Sequence, residues 1–429
     1  MTSPALSSAT PAQAGGRTYP IDRAATASFL LFAAGAIAGL FQLFYPFDPG
    51  GQRNVEFGDG FEMVAIARNL AAQGTFANPF LVENTGPTAV EPPLYPLFLA
   101  ALTTILKNST LVAMVALVCN VAANALVASW LPRISLLFFG EIAPGIVAAV
   151  LWLAAARLMP SWDASYTVAG LVFFCLFTAT SIERTANLSG FGALAGLIAG
   201  LLILLNPASV IVSAAWIAYL LIRRRTPLAK AARYCCGLAA SLFLIISPWI
   251  VRNYREFGAP VLRTNLGMTL YASNNDCAQS SLIETGRNGC YQLYHPNASV
   301  GEARLLRALG EVAYDRGRVA DTKSWIVANP TRFMRLTLSR FWEFWFPIKE
   351  DRAYMTYIIW LATALSVPGL IVMARRREPV TFFVAAVLLI YPFVYYFVVT
   401  GVRYRYPVLW LSLLPVGYLA QRAMKRLAW

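Results

Sequence analysis

The sequence predicts an all-α polytopic membrane protein with about ten transmembrane helices and further helices at the interface. Three observations carry that reading. Of 429 residues, 58% are hydrophobic and only 13% charged, a balance that soluble domains rarely show. Apolar runs recur along the whole chain. Short basic segments punctuate them at intervals that fit alternating membrane sides.

The elements follow in order. The first sixteen residues, MTSPALSSATPAQAGG, are of low complexity, and residues 1–24 read as a disordered cytoplasmic tail. The run 25–45 is too long for a signal peptide and lacks a small-residue cleavage site, so it reads as a retained span. An outer loop with interfacial helices follows at 46–108. Spans are expected at 109–131, 142–159, 164–182, 189–205, 208–222 and 234–250, making a core over 109–250. A second outer segment occupies 251–354. Spans at 355–374, 380–399 and 407–421 precede a short cytoplasmic tail, 422–429.

Orientation rests on RRRTPLAKAAR (223–233), RRRE (375–378) and RAMKR (422–426), which belong on the cytoplasmic side. Arg17 and Arg23 place the N-terminus there too. Ten crossings satisfy all of these with both termini inside. An eleventh at PLYPLFLAALTTIL (94–107) would put RRRTPLAKAAR outside. That segment is short for a span and is expected to lie in the interface or re-enter.

The formal charge of +14 points to lipid head groups rather than nucleic acid. No aromatic-basic repeat or finger spacing supports a nucleic-acid partner. A single histidine, His295, excludes a His-rich metal site and reads as a surface residue. Cys119, Cys175, Cys235 and Cys236 fall in apolar runs and read as buried thiols. Cys277 and Cys290 share a polar outer loop, where an oxidising compartment would let them pair. In TRFMRLTLSRFWEFWF, the residues Phe333, Leu336, Phe341, Trp342 and Trp345 form a candidate membrane-facing stripe.

Four stretches carry candidate chemistry. FGDGFEMVAIARNLAAQG (57–74) places Asp59 and Glu62 three apart at a helix start, with Gly74 suited to the stop. Such a pair caps a helix; a carboxylate fixed there, near the outer membrane surface, can also serve as a general base. EPPLYPLFLA (91–100) sets an extended approach to an apolar helix, with Glu91 a candidate cavity residue and Tyr95 a candidate substrate contact. SPWIVRNYREFG (247–258) and TGVRYRYP (400–407) bring Arg252, Arg403 and Arg405 to the outer side, where short-loop cations are uncommon. These can snorkel to head groups. Arginine also suits a phosphate, which its planar fork can grip through two hydrogen bonds.

Together with TNLGMTLYASNN (264–275), these pieces resemble the GT-C superfamily of integral-membrane glycosyltransferases. The likeness is greatest to its protein-mannosyltransferase-like branch, family 39, which includes the lipid A aminoarabinose transferase. The resemblance runs the length of the chain, although each motif alone is weakly specific. It implies a polyprenyl-phosphate sugar as donor, a lipid, polysaccharide or protein acceptor, and inverting transfer on the periplasmic face of the inner membrane. Asp59 matches the first-loop aspartate that engages the acceptor. Protein O-mannosyltransferases carry an adjacent Asp-Glu pair there; here two residues separate Asp59 and Glu62, which weighs against a protein acceptor. Arg403, Arg405 and Arg252 are candidate phosphate ligands, and Asn274 and Asn275 candidate sugar contacts. No cofactor is required; a divalent cation could bridge carboxylate and phosphate, though the sequence does not demand one. Two rivals are a transporter or flippase of lipid-linked sugars and a non-catalytic scaffold of the same fold. Transporters place ionisable residues inside their spans, whereas these apolar runs carry almost none.

Overall fold

The computed structural model describes residues 20–44, 62–155, 163–184, 187–348 and 353–427. Among them six helices are long and apolar enough to cross a membrane. The first is α1 (Pro20–Phe44), which lies along α4 (Ser109–Phe139). Its outer face carries Phe29 and Ile37, 70% and 69% exposed, as a lipid-facing helix requires.

Between them, α2 (Glu62–Gln73) and α3 (Leu94–Leu106) pack as a pair. Val64 and Ala67 of α2 meet Tyr95, Leu99 and Ala100 of α3, and both lean on Val112, Ala113 and Ala116 of α4. With 13 residues, α3 is about 20 Å long and cannot cross a hydrocarbon core of about 30 Å. Asn108 caps α4 by accepting from the Leu111 amide at 3.0 Å.

Next come α5 (Ala143–Ala155), α6 (Ala164–Ser181), α7 (Leu188–Leu205), α8 (Ser209–Arg223) and α9 (Leu228–Phe257). Helices α7 and α9 share the most extensive contact among the described helices. Gly192 and Gly196 lie one turn apart, and a Cβ at either would overlap the carbonyl of Tyr234 or Leu238 on α9. Small residues at this spacing let two helix backbones meet where water supplies no hydrophobic force between them.

The chain then folds a cap of short helices: α10 (Leu266–Ser273), α11 (Leu282–Arg287), α12 (Cys290–Tyr294), α13 (Val300–Leu309), α14 (Glu311–Ala328) and α15 (Pro330–Trp345). Cys277 and Cys290 form a disulfide within it, their Cα atoms 5.6 Å apart. On α15 the apolar stripe differs from the sequence expectation. Leu336 turns inward with Arg340 and Phe344, while Met334, Leu338, Phe341 and Trp342 form the exposed face. The 3.6-residue period separates these two sets, and Trp345 turns aside to donate to the Tyr396 hydroxyl at 3.1 Å. Of the four remaining cysteines, only Cys175 is fully buried and Cys236 is exposed.

The last helices are α16 (Ala353–Arg375), α17 (Val380–Ile390), a 3₁₀ turn at Tyr391–Tyr396, and α18 (Val402–Leu427). Helix α18 runs through the middle, buried almost continuously from Val402 to Tyr418. A polar network ties it to its neighbours. Tyr406 donates to Asn124 Oδ1 at 3.1 Å, Asn124 donates to Ser165 Oγ at 3.0 Å, and Trp152 donates to the Asn124 carbonyl at 3.2 Å. Asn124 thus links α4, α6 and α18 through its side-chain amide and α5 through its backbone carbonyl. Satisfied in this way, a polar group can sit deep in a membrane bundle.

Candidate active site

One cavity of about 370 Å³ opens where the start of α2, the approach to α3, the start of α6, the cap and the start of α18 converge. Its charged lining is three acids and two arginines: Glu62, Glu91, Asp163, Arg263 and Arg403. These five charged residues all fall in loops that the basic segments predict to be on the outer side, and the ends of two expected spans add Ala164, Val394, Tyr395, Val398 and Val399.

Glu62 stands in the first turn of α2, where the positive end of a helix dipole favours a carboxylate. Burial nevertheless raises its pKa to about 7, and neighbouring Glu91 adds to the rise, while Arg403 and Arg263 pull it back. Glu91 pairs with Arg263 at 3.0 Å, and Arg263 also donates from Nε to the Val90 carbonyl at 2.9 Å. The extended EPP stretch is thereby fixed against the cap. Burial holds the Glu91 carboxyl above its ordinary range, against the pull of Arg263. Asp163, just before α6, accepts from Asn206 at 2.9 Å and from Thr167 at 3.3 Å.

The other wall is aromatic. Arg403 lies over the Tyr404 ring at 4.7 Å and donates to its hydroxyl at 2.6 Å. Tyr404 stacks in turn on Tyr395 at 4.7 Å. Tyr291 stacks on His295 at 4.3 Å. His295 is 8% exposed, which corrects its assignment to the surface: α12 ends there and the Asn297 turn folds the ring inward. Its Nδ1 accepts from the Asn297 amide at 3.1 Å, so the neutral ring carries its proton on Nε2. Burial, reinforced by Arg403, lowers its pKa to about 3. The ring is a neutral hydrogen-bond donor at working pH.

The candidates from the sequence divide. Glu62, Glu91 and Arg403 line the cavity together. Asp59 lies outside the described residues. Tyr95 is 2% exposed and packs against Phe98 and Tyr166 beneath the cavity. Arg252 is spent on the loop before α3, donating to the Thr88 and Phe76 carbonyls at 2.6 and 2.8 Å. Arg405, next but one to Arg403, points the other way. It is 1% exposed, donates to Ser412 at 2.9 Å and sits 4.1 Å over the Trp345 ring. Asn274 bridges the carbonyls of Leu270 and Phe397, and Asn275 accepts from the amides of Cys277 and Ala278. Both amides hold the cap together.

Sequence reasoning missed Asp163, Arg263, Tyr291 and His295. Asp163 carried a usable signal, an acid in a very short loop on the outer side. Arg263 carried none beyond its side of the membrane.

No family profile matches the sequence, and no curated protein does. Solved structures do match in fold. The Archaeoglobus fulgidus oligosaccharyltransferase, solved as a complex with Zn and sulfate, aligns at a TM-score of 0.53 and 13% identity, over 92% of this chain and 49% of that one. Archaeal oligosaccharyltransferase AglB from the same organism, in complex with an inhibitory peptide and a dolichol-phosphate, aligns at 0.54 and 12% identity, over 93% and 50%. The chain thus spans about half the length of these proteins. ArnT from Cupriavidus metallidurans aligns at a TM-score of only 0.41, with 14% identity over 93% and 79%. The chain shares the all-α membrane fold of these oligosaccharyltransferases.

Proposed function

We propose that the protein is a membrane glycosyltransferase that moves a sugar from a polyprenyl-phosphate donor to a lipid or glycan acceptor on the outer face of the membrane. The observation that carries this reading is the cavity itself. Acids and arginines meet there at one end of a bundle whose fold is that of an oligosaccharyltransferase. The AglB structure includes a dolichol-phosphate, and a polyprenyl phosphate is the matching chemistry for Arg403 and Arg263.

In this reading the bond from the anomeric carbon to the phosphate oxygen breaks while the acceptor oxygen attacks from the opposite face. The acceptor proton passes to Glu62 or Asp59 as general base. Both electrons of the broken bond stay on the phosphate, where preorganised arginines stabilise the growing charge. Phosphate leaves readily, so no general acid is needed. Neutral His295 supplies a hydrogen bond from Nε2 without adding charge. Among the described residues no three His, Cys, Asp or Glu side chains form a metal-binding group. The proposed steps place every proton on a residue of the chain.

The test is genetic complementation with envelope lipids and glycans profiled by mass spectrometry. Deletion should remove a sugar-bearing species that wild type restores. Glu62→Gln or Asp59→Asn, at matched protein level, should fail to restore it, with turnover down roughly 10²–10⁴-fold. Full rescue by both variants would remove the general base and refute the mechanism. An unchanged profile on deletion would refute the activity and favour the scaffold reading.

A further inference from the structure

A second cavity, of about 980 Å³, opens at the other end of the bundle and takes no part in the proposed chemistry. The helices themselves show the separation. Asp163 before α6 lines the first cavity and Ile182 after it lines the second. The second cavity's floor is aromatic. Trp216 and Tyr219 stack at 5.4 Å, backed by Phe383 at 5.0 Å from Trp216. The indole N–H is already bound to Thr178 at 2.9 Å, so the floor offers an apolar face.

The rim is basic: Arg223, Arg224, Arg225 and Lys230, with Glu183 and Glu378 facing them. Glu183 pairs with Arg224 at 2.7 Å, and Glu378 accepts from the Tyr418 hydroxyl at 2.6 Å. Among the described residues, no carboxylate pairs with Arg223, Arg225 or Lys230. The carbonyl end of α8 lies beneath them and favours cations there. A solvated basic loop accounts for the charge but not for an open cavity with Trp216 and Tyr219 at its base. An amphipathic anion accounts for both, with its phosphate gripped by arginine forks and its glycerol and first methylenes over the rings. The volume falls in the range of small-molecule sites, roughly 300–1,000 Å³.

We propose that this cavity binds the headgroup of an anionic phospholipid from the leaflet opposite the candidate active site. Its test is native mass spectrometry of the full chain in detergent, titrated with phosphatidylglycerol and phosphatidylcholine. Wild type should retain phosphatidylglycerol preferentially. Replacing two rim cations, Arg223→Gln with Lys230→Gln, should cut that preference roughly tenfold or more, given about 1 kcal/mol per cation at an anionic surface. Arg375→Gln with Arg376→Gln makes the same charge change on the adjacent loop and should leave the preference intact. Equal retention of the two lipids by wild type, or equal loss in the two double variants, overturns the proposal. So does glycerol phosphate displacing the lipid at equal concentration, which would mark a site for soluble phosphates. Should the rim double variant fail to fold, Lys230→Gln alone is read, and no loss of preference overturns the proposal.

Discussion

Glu62 is the residue whose chemistry the fold changes most. A free glutamate is ionised well below neutral pH; here burial and the nearby Glu91 hold its pKa at about 7. A base must be ionised to accept a proton, so activity should rise with pH through an acid limb near 7. Removing the neighbouring negative charge with Glu91→Gln should move that limb to lower pH, and Arg403→Gln should move it higher. Kinetics from pH 5 to 9 check both signs; a limb unmoved by either variant would detach it from Glu62. The linkage to stability runs the other way. A carboxyl with a raised folded pKa favours the native state at low pH, and that contribution fades as pH climbs from about 4.5 towards 7. Arg405 shows the opposite lesson. It looks equivalent to Arg403 in VRYRYP, yet it is packed against Trp345 and Ser412. Arg405→Lys should lower the yield of folded protein, because an ammonium cannot keep both the ring contact and the Ser412 bond.

Among the elements, α7 and α9 pack with their backbones in close approach. A side chain at Gly196 would collide with the Leu238 carbonyl, so Gly196→Leu should abolish a monodisperse peak on gel filtration in detergent. Leu194→Ala, at a position 45% exposed, should leave that peak unchanged. Tyr406→Phe removes one donor from the network that joins four helices and should cost roughly 0.5–1.5 kcal/mol in a detergent melt. The cap has its own staple. The Cys277–Cys290 bond closes a separation of 13 residues, and replacing both cysteines with alanine should destabilise the cap by about 2–4 kcal/mol. Limited proteolysis would read that loss as new cleavage between α10 and α13.

At the scale of the whole molecule, the two cavities stand at opposite ends of one bundle. The end with acids and arginines gathers the loops assigned to the outer side, and the other end gathers the basic loops. The basic segments predict both termini on the cytoplasmic side, so a fluorescent protein fused after Trp429 should fluoresce, while alkaline phosphatase fused there should stay inactive. The reverse pattern would invert the proposed face of the reaction.

By itself the sequence marked the apolar runs, predicted their sidedness and picked out the stretches that carry acids and arginines. Those properties are local: hydropathy, loop charge and capping chemistry act over a few residues at a time. It predicted α3 as too short to cross and α18 as a crossing. Tertiary structure alone decided which polar residues meet. Arg403 faces the cavity and Arg405 the core because two residues along a helix turn a side chain by about 200°. Arg263 reaches Glu91 across 172 positions of sequence, and His295 turns inward on a short cap helix. Such pairings depend on how loops from separate crossings converge, and no periodicity within one segment encodes that.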